Sequence, residues 1–170
     1  MINVKKLVAQ LKKEHPKAVH HCFAYRLGVD GVTFRVSDDS EPAGTAGRPI
    51  LGQMDSKELT NILVVVVRYF GGSLLGVPGL IIAYHGAGIE ALTNAKIIEK
   101  QVIEQYEVEA EFILHNHLYK VGKNNVIKLY PNNNLNTNSF IFEVRKAKAD
   151  EVLKQLNDAG ICQIKFKGII

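Results

Sequence analysis

Three carboxylates fall within four residues, Asp38, Asp39 and Glu41, at the head of the stretch SDDSEPAGTAGRPILGQM, Ser37 to Met54. Carboxylates this close repel one another, so the loop must be wet, hydrogen-bonded to backbone amides, or bound to a cation. The acidic side chains can cap a helix over about Thr45 to Met54 and favour its positive end. Alternatively they can hold Mg²⁺ or orient a ligand. The spacing favours capping, because no EF-hand or other full metal pattern is present. Arg48 and Arg68 are the cations placed to pair with these acids, Tyr69 follows Arg68 directly, and His20 is the histidine best placed to face the loop. Asp38, Asp39, Glu41, Arg48, Arg68, Tyr69 and His20 therefore form the candidate functional cluster. The same residues also read as an ion-pair network that only braces the fold, and composition does not separate the two.

Other chemistries find less support. Gly71 and Gly76 are spaced like the start of a phosphate loop, but Val77-Pro78 stand where Lys and Ser/Thr are required. His20 and His21 are neighbours on a predicted strand and point to opposite faces, so they do not share a metal ion. His115 and His117 would share a strand face, yet no third ligand accompanies them. Neither Ser40 nor Cys22 has the context of an activated nucleophile. Cys22 and Cys162 are far apart without CxxC spacing, and both read as reduced, buried and apolar.

Positioning these residues requires a frame. Val4, Leu7, Val8 and Leu11 make a helical stripe that stops near His15-Pro16. Its lysines read as a solvated face. Ala18 to Leu27 and Val32 to Val36 read as a hairpin about Gly28–Gly31. Ile62 to Val67, six apolar residues of which five are β-branched, predict a central strand covered on both faces. Gly71-Gly72 turn the chain into a helix over 76–95, which Asn94 helps to end. Beyond Lys96 the composition shifts. Alternation over Val102 to Leu114 predicts a strand, a short polar segment with Leu118 and Val121 a helix, and Val126 to Tyr130 a strand. An asparagine-rich turn, Asn132–Asn138, separates this from a strand over Ser139 to Arg145. A helix over Ala149 to Ala159 capped by Gly160, and a strand over Ile161 to Phe166, complete the order β-α-β-β-α-β, a ferredoxin-like pattern. The fold class is α/β (α+β) with two domains, 1–103 and 104–170.

The bulk numbers fit an ordinary globular chain: 170 residues, 46% hydrophobic and 22% charged, which argues against disorder. Net charge is +4, spread thinly, without a basic run or aromatic-interleaved cluster of a nucleic-acid binder. No apolar stretch approaches the roughly 20 residues that span a bilayer. The N-terminus lacks a signal-peptide pattern, so the chain reads as cytoplasmic and without a membrane partner.

AVHHCFAYR (18–26), DDSEPAGTAGRPIL (38–51) and VVVVRYFGGSLLGVPGLIIAY (64–84), with the small C-terminal β-α-β-β-α-β unit, resemble the IMPACT/YigZ family over essentially the whole chain. The resemblance implies an N-terminal IMPACT-like domain with the left-handed β-α-β fold of a small-subunit ribosomal protein's second domain. It implies a C-terminal domain like the last domain of elongation factor G. Ser40 departs from the family's DDGEP, and Pro78 and Ile82 replace a glycine and a basic residue of the glycine segment. Family members also begin with an extra strand. Met1 lies almost inside the first helix, which predicts either a truncated start or an uncovered sheet edge open to pairing with another chain.

The family implies no secure activity. Eukaryotic relatives regulate translation by competing for a protein partner, and bacterial relatives suggest nucleic-acid or ribosome binding from their folds. The reading is a non-enzymatic binding protein without cofactor, acting on translation through RNA, the ribosome or a protein partner. The alternative is an enzyme or small-ligand binder using Asp38, Asp39 and Glu41, with Mg²⁺. A deep pocket lined by these acids and Arg48 would favour the alternative, and a continuous basic stripe would favour RNA.

Overall fold

A computed structural model describes residues 3–125, 128–132 and 138–170. Val126, Ile127 and residues 133–137 of the expected asparagine-rich turn lie outside them. The chain separates into two compact units, 1–97 and 98–170.

The first unit opens with α1 (Val4–Glu14), whose first turn is capped by the Asn3 side chain accepting from the Lys6 amide at 3.1 Å. β1 (His20–Leu27) and β2 (Thr33–Ser37) form the expected hairpin. Gly28 and Gly31, at φ 86° and 65°, take the left-handed turn positions. β3 (Ile62–Arg68) then pairs antiparallel with the other side of β1, giving the order β2-β1-β3. Thus β3 is an edge strand rather than the central one, and only Val64 of its residues is buried. A run of β-branched residues predicts extended backbone and partial burial; how many neighbours it gains depends on distant segments.

One face of this sheet, carrying Cys22, Ala24 and Val64, packs on α2 (Gly47–Ser56) and α3 (Gly76–Thr93). Ile50 and Met54 of α2 and Leu80, Tyr84 and Leu92 of α3 complete the core. Burying each such side chain contributes about 1.5–3 kcal/mol. Gly47 is required by close approach, since a Cβ there would lie 2.8 Å from the Ser37 nitrogen. Asn94 ends α3 as expected, its side-chain amide donating to the Glu90 carbonyl at 3.0 Å.

In the second unit, β4 (Ile103–Glu109) leads through a 3₁₀ turn at Phe112–Leu114 into α4 (His115–Asn125). β5 (Lys128–Pro131), β6 (Ser139–Arg145), α5 (Lys146–Asp158) and β7 (Gln163–Ile169) follow. The sheet order is β5-β6-β4-β7 with every pair antiparallel, the ferredoxin-like arrangement, and the protein is α+β. Tyr106, Val108, Phe140, Phe142 and Val144 pack under Leu118, Val152 and Leu156 of the two helices.

Two local readings are corrected here. His115 and His117 stand on the first turn of α4, where residues two apart do not share a face. His115 Nε2 donates to the Ala110 carbonyl at 3.0 Å. Cys162 is exposed, because it sits in the turn before β7 rather than inside a strand; Cys22 is buried as expected.

Candidate functional site

The acidic loop connects β2 to α2 and folds under the end of β1. Asp39 and Ser40 hold left-handed backbone, φ 39° and 73°, and the Glu41 amide closes the turn on the Asp38 carbonyl at 2.9 Å. This geometry accounts for glycine in the related DDGEP pattern, and serine carries a strain of about 1–2 kcal/mol there. The turn sends its three carboxylates in three directions.

Asp38 turns toward α2. One of its oxygens accepts the amides of Ala46 at 3.1 Å and Gly47 at 2.8 Å, and the other accepts Gly44 at 2.9 Å. Ala46, the N-cap residue, has no side-chain cap of its own, so Asp38 caps the helix from eight residues upstream. Burial pushes the Asp38 carboxyl up, but the three amides and the Arg48 charge outweigh it and hold the group below the usual range.

Asp39 turns to β1 and α1. It accepts the His21 amide at 2.7 Å and the Lys12 ammonium at 3.0 Å. Burial raises its carboxyl, and these donors, with the Lys12 and His21 charges, bring it below the usual range. Lys12 is therefore a tether from α1 to the loop, although its helix face reads as solvated. His20 Nδ1 donates to the Asp39 carbonyl at 2.8 Å, an assignment fixed by the carbonyl's having only lone pairs. Among the described residues, the buried His21 Nε2 has no hydrogen-bond partner.

Glu41 turns inward and is buried. Its Oε1 accepts Arg68 at 2.7 Å and the Tyr84 hydroxyl at 2.8 Å, with His20 Nε2 3.7 Å away. The Cys22 sulfur lies 3.3 Å from that hydroxyl and 3.0 Å from the Asp38 carbonyl. Burial, and then the neighbouring carboxylates against a bond to Tyr84, push the thiol up to about 11, so it stays protonated and is a poor nucleophile. Burial chiefly, with the bonds to Cys22 and Glu41, raises the Tyr84 hydroxyl above the ordinary tyrosine range.

Of the seven candidates, Asp38, Asp39, Glu41, His20 and Arg68 meet in one network. Arg48 is exposed and reaches Asp38 only through its charge. Tyr69, half exposed, bonds to His15 at 2.8 Å beside the cluster rather than to the acidic loop. Tyr84 and Cys22 were not among the candidates. A signal existed for Tyr84: on the buried stripe of Leu80, Gly88 and Leu92, its hydroxyl needs a partner in the core.

Both oxygens of Asp38 and of Asp39 are engaged by protein donors, and Glu41 receives Arg68 and Tyr84 on Oε1. Among the described residues, no group of three or more His, Cys, Asp or Glu is placed to hold a metal. A cavity of about 270 Å³ lies elsewhere, lined by Arg26, Asp30, Met54, Asp55, Glu58 and Thr60, without any of the loop's acids. No helix among the described residues is long and apolar enough to cross a membrane.

The family model described as the Impact N-terminal domain matches residues 2–92. The chain is 42% identical over 110 residues to IMPACT family member YigZ of Escherichia coli, covering 64% of this chain and 54% of the relative. It is 36% identical over 105 residues to IMPACT family member YvyE of Bacillus subtilis, covering 62% and 48%. It is 37% identical over 76 residues to Protein IMPACT of Rattus norvegicus, covering 43% and 24%. The chain thus spans about half the length of the bacterial relatives it matches. A solved structure described as a hypothetical protein aligns with TM-score 0.62 and 31% identity, over 98% of this chain and 82% of that one.

Proposed function

The chain belongs to the IMPACT family, and from that premise we propose that it is a non-enzymatic binding protein of the translation apparatus, acting through a protein partner. The observation that carries this reading is the occupied acidic network: its carboxylates already hold arginine, lysine, tyrosine and backbone donors, so they brace the loop. The network also anchors the end of β3, where Arg68 is followed by Tyr69 and Phe70, each half exposed. Aromatic side chains presented from a braced position are suited to a protein interface.

A protein partner is favoured over RNA by the charge pairing on the second unit's sheet. There Lys128 and Lys167 are already paired with Glu143 at 3.3 Å and Glu107 at 3.1 Å, so their charge is largely spent before a phosphate arrives.

Two measurements on the full chain test this. Filter binding with single-stranded RNA should show no retention at low salt. Co-sedimentation with ribosomal fractions should persist through nuclease treatment and moderate salt, and should weaken when Phe70 is replaced by serine. RNA retention that falls steeply with salt, or the absence of co-sedimentation at every salt concentration, would overturn the reading.

A further inference from the structure

Helix α3 is apolar on every side, yet only Leu80, Tyr84, Gly88 and Leu92 are buried. A helix hydrophobic all round belongs inside a structure. His85 and Glu90 are the only residues of α3, tyrosine aside, that can carry a charge. Leu74, Leu75, Val77, Ile81, Ile82 and Ile89 are 90%, 48%, 51%, 40%, 72% and 40% exposed. Of these, Leu75, Ile82 and Ile89 lie on one side of the helix, away from the buried Leu80, Tyr84 and Leu92, and leave an exposed apolar face there.

The uncovered face has a pattern. Leu75, Gly79, Ile82, Gly86, Ile89 and Thr93 recur at alternating spacings of four and three, a seam of the kind that meets another helix. Large and small residues alternate along it. When the seam is laid antiparallel on itself about the level of Tyr84, Ile82 faces Gly86, Gly79 faces Ile89, and Leu75 faces Thr93. Each large side chain then meets a small one. The charges fit too: Glu90 of one copy lies level with the first turn of α3 in the other, on the side of Gly76 and Gly79, at the positive end of the helix.

Gly86 supplies a separate observation. Glycine weakens a helix interior relative to alanine, and close packing inside the unit would explain its presence. Gly88 has that explanation, since a Cβ there would lie 3.2 Å from the Gln53 side chain. At Gly86 a Cβ would meet nothing within 4 Å. Nothing in its own unit calls for a residue without a side chain, whereas an isoleucine arriving from a second copy does.

We propose that α3 forms an antiparallel pair with α3 of a second copy of this chain, Ile82 seating on Gly86 across a two-fold axis. The symmetry is isologous, so the assembly stops at a dimer.

The test is sedimentation equilibrium of the full chain over a broad concentration range, with circular dichroism to confirm folding. The unaltered chain should dimerise, and Ile82→Asp should raise the dissociation constant at least 100-fold. Gly86→Leu should do the same while keeping the fold, because its added atoms enter open space in the single chain. Gly86→Ala should weaken the dimer while raising the melting temperature of the dilute, monomeric chain. A chain that stays monomeric at every concentration, whether because its own second unit or a foreign partner covers α3, would overturn the proposal. So would a dimer indifferent to both Ile82→Asp and Gly86→Leu.

Discussion

In the first unit, Asp38, Asp39 and Glu41 are held mostly by donors fixed in the backbone or buried in the core. In the second, Glu107 and Glu143 are buried on adjacent strands of the sheet, and the more exposed Lys167 and Lys128 reach in to meet them. Glu107 takes Lys167, Asn132 at 2.7 Å and Ser139 at 3.3 Å, and these donors, Lys167 foremost, hold its carboxyl below the usual range against the effect of burial. Lys128, which pairs with Glu143, has a side chain 65% exposed. Both regions cover carboxylates, but the first relies mainly on backbone amides and buried side chains, whereas the second adds lysines to meet the charge. A flexible lysine loses rotamer freedom for each bond it makes, whereas a backbone amide has already been ordered by folding. The first arrangement fixes geometry; the second mainly neutralises charge.

That contrast breaks most directly at Arg68. Arg68→Met leaves Glu41 buried without its cation and should cost about 3–5 kcal/mol by urea unfolding. Lys128→Met should cost less, on the order of 1 kcal/mol, because Tyr130 and Gln105 still donate to the buried Glu143. If the two losses came out equal, the distinction between a braced network and one neutralised by lysines would fail.

Asp38 gives the next largest effect. Asp38→Asn removes the charge that three amides surround, and a loss of about 2 kcal/mol is expected in the same assay. The pH dependence follows in sign. The folded carboxyl titrates below its ordinary value of 3.8, so its contribution is present above that pH. It is lost as pH falls through the folded value, because the unfolded chain takes the proton first. Asp39 behaves alike. The fall in stability below about pH 4 should therefore be shallower in Asp38→Asn, and an unchanged acid limb would count against the amide cradle.

Asp39→Asn should cost on the order of 1 kcal/mol. Added Mg²⁺ should leave the melting temperature of the unaltered chain unmoved, since Lys12 and the His21 amide already occupy the carboxylate. A Mg²⁺-dependent rise that vanishes in Asp39→Asn would show metal binding, because a bound ion stabilises by RT ln(1 + [L]/Kd), and would put the small-ligand reading ahead.

The smallest perturbation sharpens the comparison without a mutation. A thiol reagent should titrate one cysteine, Cys162, in the native chain, and Cys22 only after unfolding. Burial beneath the network keeps Cys22 both inaccessible and protonated. Rapid reaction of two thiols would mean that the core under the acidic loop opens readily.

Local periodicity was enough to read most of the elements. The stripe of Val4, Leu7, Val8 and Leu11, the hairpin around Gly28–Gly31 and the helix after Gly76 all depend on neighbours a few residues apart, which sequence displays directly. The β-α-β-β-α-β order of the second unit was legible for the same reason. Reading failed where a choice needed partners from afar. The alternation after Val102 ran past Glu109 on paper, while the chain turns into a helix that carries His115 and His117.

The sequence by itself determined that three repelling carboxylates at 38, 39 and 41 needed donors, and that α2 had orphan amides to offer. Charge repulsion and unpaired helix ends are properties of a few consecutive residues. Only the tertiary structure decided which donor went to which acid. It made β3 an edge strand, drew Lys12 to Asp39, placed Tyr84 and Arg68 on one oxygen of Glu41, and left Arg48 outside. Those pairings join residues 27 to 43 positions apart, and such separations are set by how sheet and helices pack rather than by any local pattern.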